Sequence, residues 1–262
     1  MVSRVDAHIP DFAQNLLREA ARETGADFDF LVSTAARESN FDADAQARTS
    51  SAAGMFQFIE QTWLGMMERH GAQHGFGALA QAISRDAGGR YEVRDDQMRQ
   101  EILDLRFDPA AAARMAGELA AENAAIIEER TGQSAGAGEL YAAHFLGAGG
   151  AASLIEAVQS NPDQRADRLF PAAAAANRPI FYDNGRPRTA SELLENLTGT
   201  ARSTSAVPAR QGSAEVPART LAASAAPINP GSFQVGNGEL SPMLVEILAS
   251  LDAPASSRDR KA

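Results

Sequence analysis

One stretch constrains this chain more than any other. Residues 28–59 read FDFLVSTAARESNFDADAQARTSSAAGMFQFI: an apolar helix ending in a carboxylate, a polar loop, then a glycine opening a second apolar segment. Phe28, Leu31, Val32 and Ala35 recur at helical spacing and mark one buried stripe. Glu38 lies seven residues after Leu31 and three after Ala35, so two helical turns return it to the edge of that stripe. A carboxylate there is partly desolvated, which disfavours its charged form and raises its pKa. A general acid near neutral pH needs that environment. The same spacing also fits an ordinary surface glutamate at a helix end, and the stripe by itself leaves both readings open.

The surrounding residues add a pattern. Glu38-Ser39, Asn40-Phe41 and, after the loop, Gly54-Met55-Phe56-Gln57 resemble the first two motifs of the lytic transglycosylase family, whose SLT domain has the goose-type lysozyme-like fold. That family follows its Glu-Ser pair with Gly-Leu-Met-Gln or a close variant. Its third motif is usually Ala-Tyr-Asn-Ala-Gly; here Leu140-Tyr141-Ala142-Ala143-His144-Phe145-Leu146-Gly147 stands in that place. Tyr141 matches, Ala142 replaces the asparagine, and the form is similar to that of some phage endolysins and bacterial relatives. The resemblance spans roughly residues 12–197.

The resemblance implies a mainly α, lysozyme-like domain with a small β-hairpin. It implies cleavage of the β-1,4 bond between N-acetylmuramic acid and N-acetylglucosamine in peptidoglycan, closing a 1,6-anhydro ring, with Glu38 as general acid and then base. One carboxyl group serves both steps, whereas ordinary glycosidases use two at a fixed separation. Ser39, Gly54, Met55, Phe56, Gln57 and Tyr141 fall at the family's substrate-side positions. For Met55 and Phe56 core packing is the alternative to lining a cleft. For Gly54 the alternatives are close approach to the glycan and a simple turn. Gln57 offers a donor and an acceptor to sugar amides. Tyr141 either holds Glu38 through its phenol or is a core tyrosine with another partner. Asp42 and Asp44, in the polar loop, read as solvated or capping residues; a water positioned by either is what hydrolysis in the manner of a muramidase would need. No cofactor and no metal are expected.

Charge and composition narrow the function classes. A formal net charge of −10 argues against a nucleic-acid partner, which selects a basic face, and against adhesion to anionic lipid. There is no cysteine, so disulfides, thiolate zinc sites and a thiol nucleophile are excluded. His70 and His74 sit four apart at metal-ligand spacing, but Gly71 and Gly75 interrupt them and a loop or capping role is expected. No run is long and apolar enough to span a membrane. The expected location is the periplasm or cell envelope, although the first twenty residues lack the uninterrupted apolar run of a secretory signal.

The chain divides into a catalytic domain over 1–198, a Ser/Pro/Ala-rich linker over 199–239 and a short amphipathic helix with a polar tail over 240–262. In the domain, a first helix runs from Phe12 to near Gly25. A second spans Phe28–Ser39 with Asp27 as N-cap, and a third spans Met55–His70, with Trp63 read as core rather than sugar platform. Residues 83–93 form a small hairpin about Gly88-Gly89. Helices then run from Asp96 to Leu105 and from Pro109 to about Arg130, the latter with Met115, Leu119 and Ile126 inward and Gly132 closing it. A buried helix over 138–146 ends in a glycine-rich loop and continues as another over 151–160. No strand precedes those glycines and no Lys-Ser/Thr follows, which excludes a P-loop. Phe170 to Asn184 reads as an extended peripheral segment. Thr189 and Glu192 make a capping box for a last helix to about Leu197. In the tail, Met243, Leu244, Ile247, Leu248 and Leu251 lie on one face and suit a protein partner.

Two other readings share these motifs. One is a catalytically silent scaffold or binding protein of an envelope-spanning assembly; the other is a hydrolytic muramidase.

Overall fold

Asp27 opens the helix that carries Glu38. Its Oδ1 accepts the Phe30 N–H at 2.7 Å, satisfying one of the donors that a helix start leaves unpaired. The computed structural model describes residues 9–48 and 50–205. Over these the chain is mainly helical, with two small antiparallel hairpins.

The order is α1 (Asp11–Thr24), α2 (Phe28–Ser39), α3 (Glu60–His70), a 3-10 turn (Gly71–His74), α4 (Gly77–Gln81), β1 (Ile83–Arg85), β2 (Tyr91–Val93) and α5 (Asp96–Asp104). A 3-10 turn (Leu105–Phe107) leads to the two long helices, α6 (Pro109–Thr131) and α7 (Ala137–Ser160). Short pieces follow: α8 (Ala166–Leu169), α9 (Pro171–Ala176), α10 (Arg178–Phe181), β3 (Tyr182–Asp183) and β4 (Arg186–Pro187), before α11 (Ala190–Ser205).

Several expectations hold residue by residue. Asp108 caps α6 by accepting from Ala110 and Ala111, Pro109 sits in the first turn, and Gly132 ends it at φ +68°. The hairpin pairs Ile83 with Val93 and Arg85 with Tyr91. It is docked on α3 by Gln61, whose side chain donates to the Tyr91 carbonyl at 3.0 Å and accepts the Tyr91 N–H at 2.9 Å. That packing supplies what an isolated two-stranded ribbon lacks. Trp63 is fully buried, and its Nε1 donates to the Ile102 carbonyl at 2.7 Å.

Other expectations fail, each for a reason of packing. The third helix starts at Glu60, not Met55, because Gln57 lies at φ +49° and cannot be helical. Residues 171–181 are not extended; they form α9 and α10, each with a proline in its first turn, and they bury Phe181 against Phe145 and Phe170, so that only Tyr182–Asp183 at the end of the expected segment is a strand. Ile126 is 40% exposed whereas Ile127 is fully buried. The cause is a change of partner along α6: Met115 belongs to a core built with α1, α2 and α3, and Ile127 to a second core built with α7 and α11. The buried face therefore shifts partway along the helix. The two helices expected over 138–160 are present within α7, but they meet at a kink on Gly147 alone (φ +74°, ψ 157°) instead of across a longer glycine-rich loop. His70 ends α3 at the N-cap position of the 3-10 turn and His74 ends that turn, but neither side chain bonds to a helix end; they reach across to α6, His70 Nε2 to Glu122 at 2.6 Å and His74 Nε2 to Glu118 at 2.8 Å. Among the described residues no cluster of His, Cys, Asp or Glu is arranged to hold a metal ion.

The last helix runs to Ser205 rather than Leu197. The rest of the expected linker and the helix around Met243–Leu251 lie outside the described residues. The start of α11 is the expected capping box: Thr189 N–H donates to Glu192 Oε2 at 2.9 Å and Glu192 N–H to Thr189 Oγ1 at 3.2 Å. The guanidinium of Arg186 also donates twice to Glu192, at 2.9 Å each, and with the Thr189 N–H holds that carboxyl down at about 2. Since the folded value lies below the ordinary 4.5, the stabilisation is complete above pH 4.5 and disappears as pH falls towards 2. Thermal melts should therefore show the wild type losing stability across that window, with a shallower loss in Glu192→Gln. Identical acid dependence in the two proteins would rule this contact out as a contributor.

Candidate active site

The site is assembled where the end of α2, the loop after it and α7 meet. Helix α2 stops abruptly because Asn40 and Phe41 both adopt left-handed backbone, at φ +54° and +64°. Their N–H groups bond back to Ala36 and Ala35 at 2.9 and 3.2 Å, closing the helix in the manner usually left to glycine. Burial of the Phe41 ring helps offset the strain.

The loop then folds back on itself. Gly54 N–H donates to the Ala45 carbonyl at 2.8 Å, Ala47 N–H to Ala52 at 3.0 Å, and Ala53 bridges both Gln46 and Phe58. Two of the motif side chains stitch it in place. Ser39 Oγ donates to the Met55 carbonyl at 2.8 Å, tying the end of α2 to the turn sixteen residues on. Gln57 Nε2 donates to the carbonyls of Ala45 and Gly54 at 3.1 and 2.9 Å.

The protein's own backbone demands glycine at position 54. It sits at φ +77°, and a Cβ placed there would stand 1.8 Å from the Arg106 carbonyl oxygen. The close approach is thus to the protein's own backbone. Arg106 in turn braces the loop, its Nη1 donating to Ser51 and Phe58 carbonyls at 2.6 and 3.2 Å. Burial pushes its guanidinium below the usual arginine range. Met55 and Phe56, placed by the sequence either in the cleft or in the core, are in the core, at 0% and 2% exposure. Of the motif residues, then, Ser39, Gly54, Met55, Phe56 and Gln57 build and hold the loop next to Glu38. Asp42 is exposed, and its carboxylate accepts the Asp44 N–H at 2.9 Å in a local turn.

Glu38 itself is enclosed, its side chain only 1% exposed. Two basic groups bear on the same oxygen: His144 Nε2 lies 3.3 Å and Arg37 Nε 3.4 Å from Oε1. Burial opposes a carboxylate charge and the adjacent guanidinium favours it, so the two influences on this acid are set against each other. The Arg37 guanidinium covers the Tyr141 ring, 4.4 Å from its centroid, a cation–π contact with most of the water removed. Arg37 Nη2 and Thr34 Oγ1, one turn before Glu38, are buried without a hydrogen-bond partner. Tyr141 is thus brought to the site, with its ring also part of the second core.

His144 and Arg37 escape a motif-based reading, but a signal for His144 exists. It lies three residues after Tyr141, and helix positions three apart share a face. Whatever brings Tyr141 to α2 brings His144 too. An open cleft of about 730 Å³ lies between α1, α6 and the turn after α3, lined by Glu23, Thr24, Gln73, His74, Arg114 and Glu118. Glu38 is not among its walls.

No protein-family model matches this chain.

Proposed function

We propose that the chain is a peptidoglycan lytic transglycosylase, with glycan strands as substrate, the cell envelope as place of action and Glu38 as the reacting acid. The observation that carries this reading is the enclosed Glu38 carboxyl, approached on one oxygen by His144 and Arg37, at the position of a Glu-Ser motif. A lone desolvated acid with fixed donors fits general acid–base work better than it fits a structural ion pair on a surface.

In this mechanism Glu38 starts protonated and gives its proton to the glycosidic oxygen as the bond from C1 of the muramyl residue breaks. The leaving N-acetylglucosamine departs with a new hydroxyl. The carboxylate produced is stabilised by Arg37 and then takes the proton of the C6 hydroxyl as that oxygen attacks C1. A 1,6-anhydro ring closes, Glu38 is protonated again, and no water is consumed. Preorganised charge beside the forming carboxylate lowers the barrier without reorganisation. At 1% exposure the carboxyl meets a sugar only after a covering side chain moves aside.

The test is release of soluble muropeptides from purified murein by the isolated protein. Steady release supports the assignment; intact murein after prolonged incubation at enzyme excess overturns it.

A further inference from the structure

Of the groups around Glu38, His144 is placed for a task no motif assigns to it. Its side chain is 10% exposed and that of Glu38 1%. The two residues are 106 apart in the chain, on α7 and α2. The one side-chain hydrogen bond His144 makes among the described residues is to Glu38 Oε1. Three residues after His144 the helix breaks at Gly147.

We infer that His144 is the positioning residue for Glu38: its Nε2–H donates to Oε1 and, with Arg37 Nε–H on the same oxygen, keeps the acid proton on Oε2. This rests on the proposed glycan-cleaving role of Glu38. The reasoning is one of hydrogen-bond capacity. An oxygen that accepts from two N–H donors is the carbonyl-like oxygen of the protonated acid, since a hydroxyl oxygen turned towards two donors is a poor acceptor. The working proton is thereby confined to the other oxygen, and the carboxyl plane is fixed. Arg37 is the more exposed of the two donors, at 18%. His144 is therefore the steadier anchor when the covering side chains part.

Four proteins and three readouts test this. His144→Leu removes the donor, and kcat on murein fragments should fall about 10²-fold, with KM unchanged because ground-state binding is untouched. His144→Gln can place an N–H near the same point and should recover most of the lost kcat. Melting temperatures of both variants separate misfolding from lost positioning. Independently of activity, ring ¹⁵N spectra of the wild type should show His144 carrying a proton on Nε2, and that preference should relax in Glu38→Ala. A ring protonated on Nδ1 alone in the wild type, or folded Leu and Gln variants equal in kcat, would refute the assignment. A wild type that releases nothing from murein defeats the function proposed above, and the ring spectra then still decide whether His144 holds Glu38.

Discussion

Glu38→Gln is expected to abolish murein cleavage while leaving the fold intact. The amide keeps the size of the carboxyl and one oxygen for His144 and Arg37 to donate to, so the packing between α2 and α7 has no reason to change. It has no proton to give at the pH of the reaction and no basic oxygen to take one back. A placed acid–base group contributes typically ~10²–10⁴-fold, and here one group performs both transfers, so the loss should reach the upper end of that range or beyond. Circular dichroism and thermal melting should be close to wild type. A folded Glu38→Gln protein that still solubilises murein would show that this carboxyl is not the reacting acid. A protein that unfolds would show instead that its ionised form holds the two helices together.

The second large effect concerns the scaffold. Gly54→Ala places a methyl group 1.8 Å from the Arg106 carbonyl oxygen and 2.8 Å from its carbon, at φ +77°. Left-handed backbone alone costs an L-residue roughly 1–2 kcal/mol; here the loop or the 3-10 turn at Arg106 must also separate. A destabilisation of about 3 kcal/mol or more is expected, against a typical domain stability of about 5–15 kcal/mol. Gly89 provides the control. It lies at φ +81° with open space around its missing Cβ, so Gly89→Ala should cost only the backbone term. Urea unfolding of both variants measures the difference. If Gly54→Ala costs no more than Gly89→Ala, the backbone contact at Arg106 is not what demands glycine. If the larger loss appears, activity should fall with it, because Ser39 is anchored to the carbonyl of Met55 on the same turn.

Much of the fold was legible locally. Asp27, Asp108-Pro109-Gly132 and Thr189-Glu192 mark helix ends by contacts within four residues of themselves, and those contacts form as expected. The hairpin over 83–93 was readable for the same reason. The failures share a cause, which is distance along the chain. The turn over 54–58 is set by Ala45 and by Arg106, the latter some fifty residues on, and no helical periodicity can report that. Ile126 and Ile127 exchange places because α6 changes neighbours midway. Phe181 is buried by rings on α7 and at Phe170, which turns an apparently peripheral segment inward.

The site divides along the same line. Glu38 and Tyr141 were visible as motif positions, and both come to the meeting of α2 and α7. The loop residues were visible as a motif, yet their hydrogen bonds go to the loop's own carbonyls. His144 lies in the third-motif segment without a role assigned to it there; its meaning comes from the fold, through a helix face shared with Tyr141.

The central claim is that the glycosidic bond is exchanged for an internal ether and not for water. Digestion of purified murein in heavy-oxygen water, with mass analysis of the fragments, tests it most directly. The account predicts 1,6-anhydromuramyl ends carrying no solvent oxygen. Reducing ends labelled with solvent oxygen would contradict it.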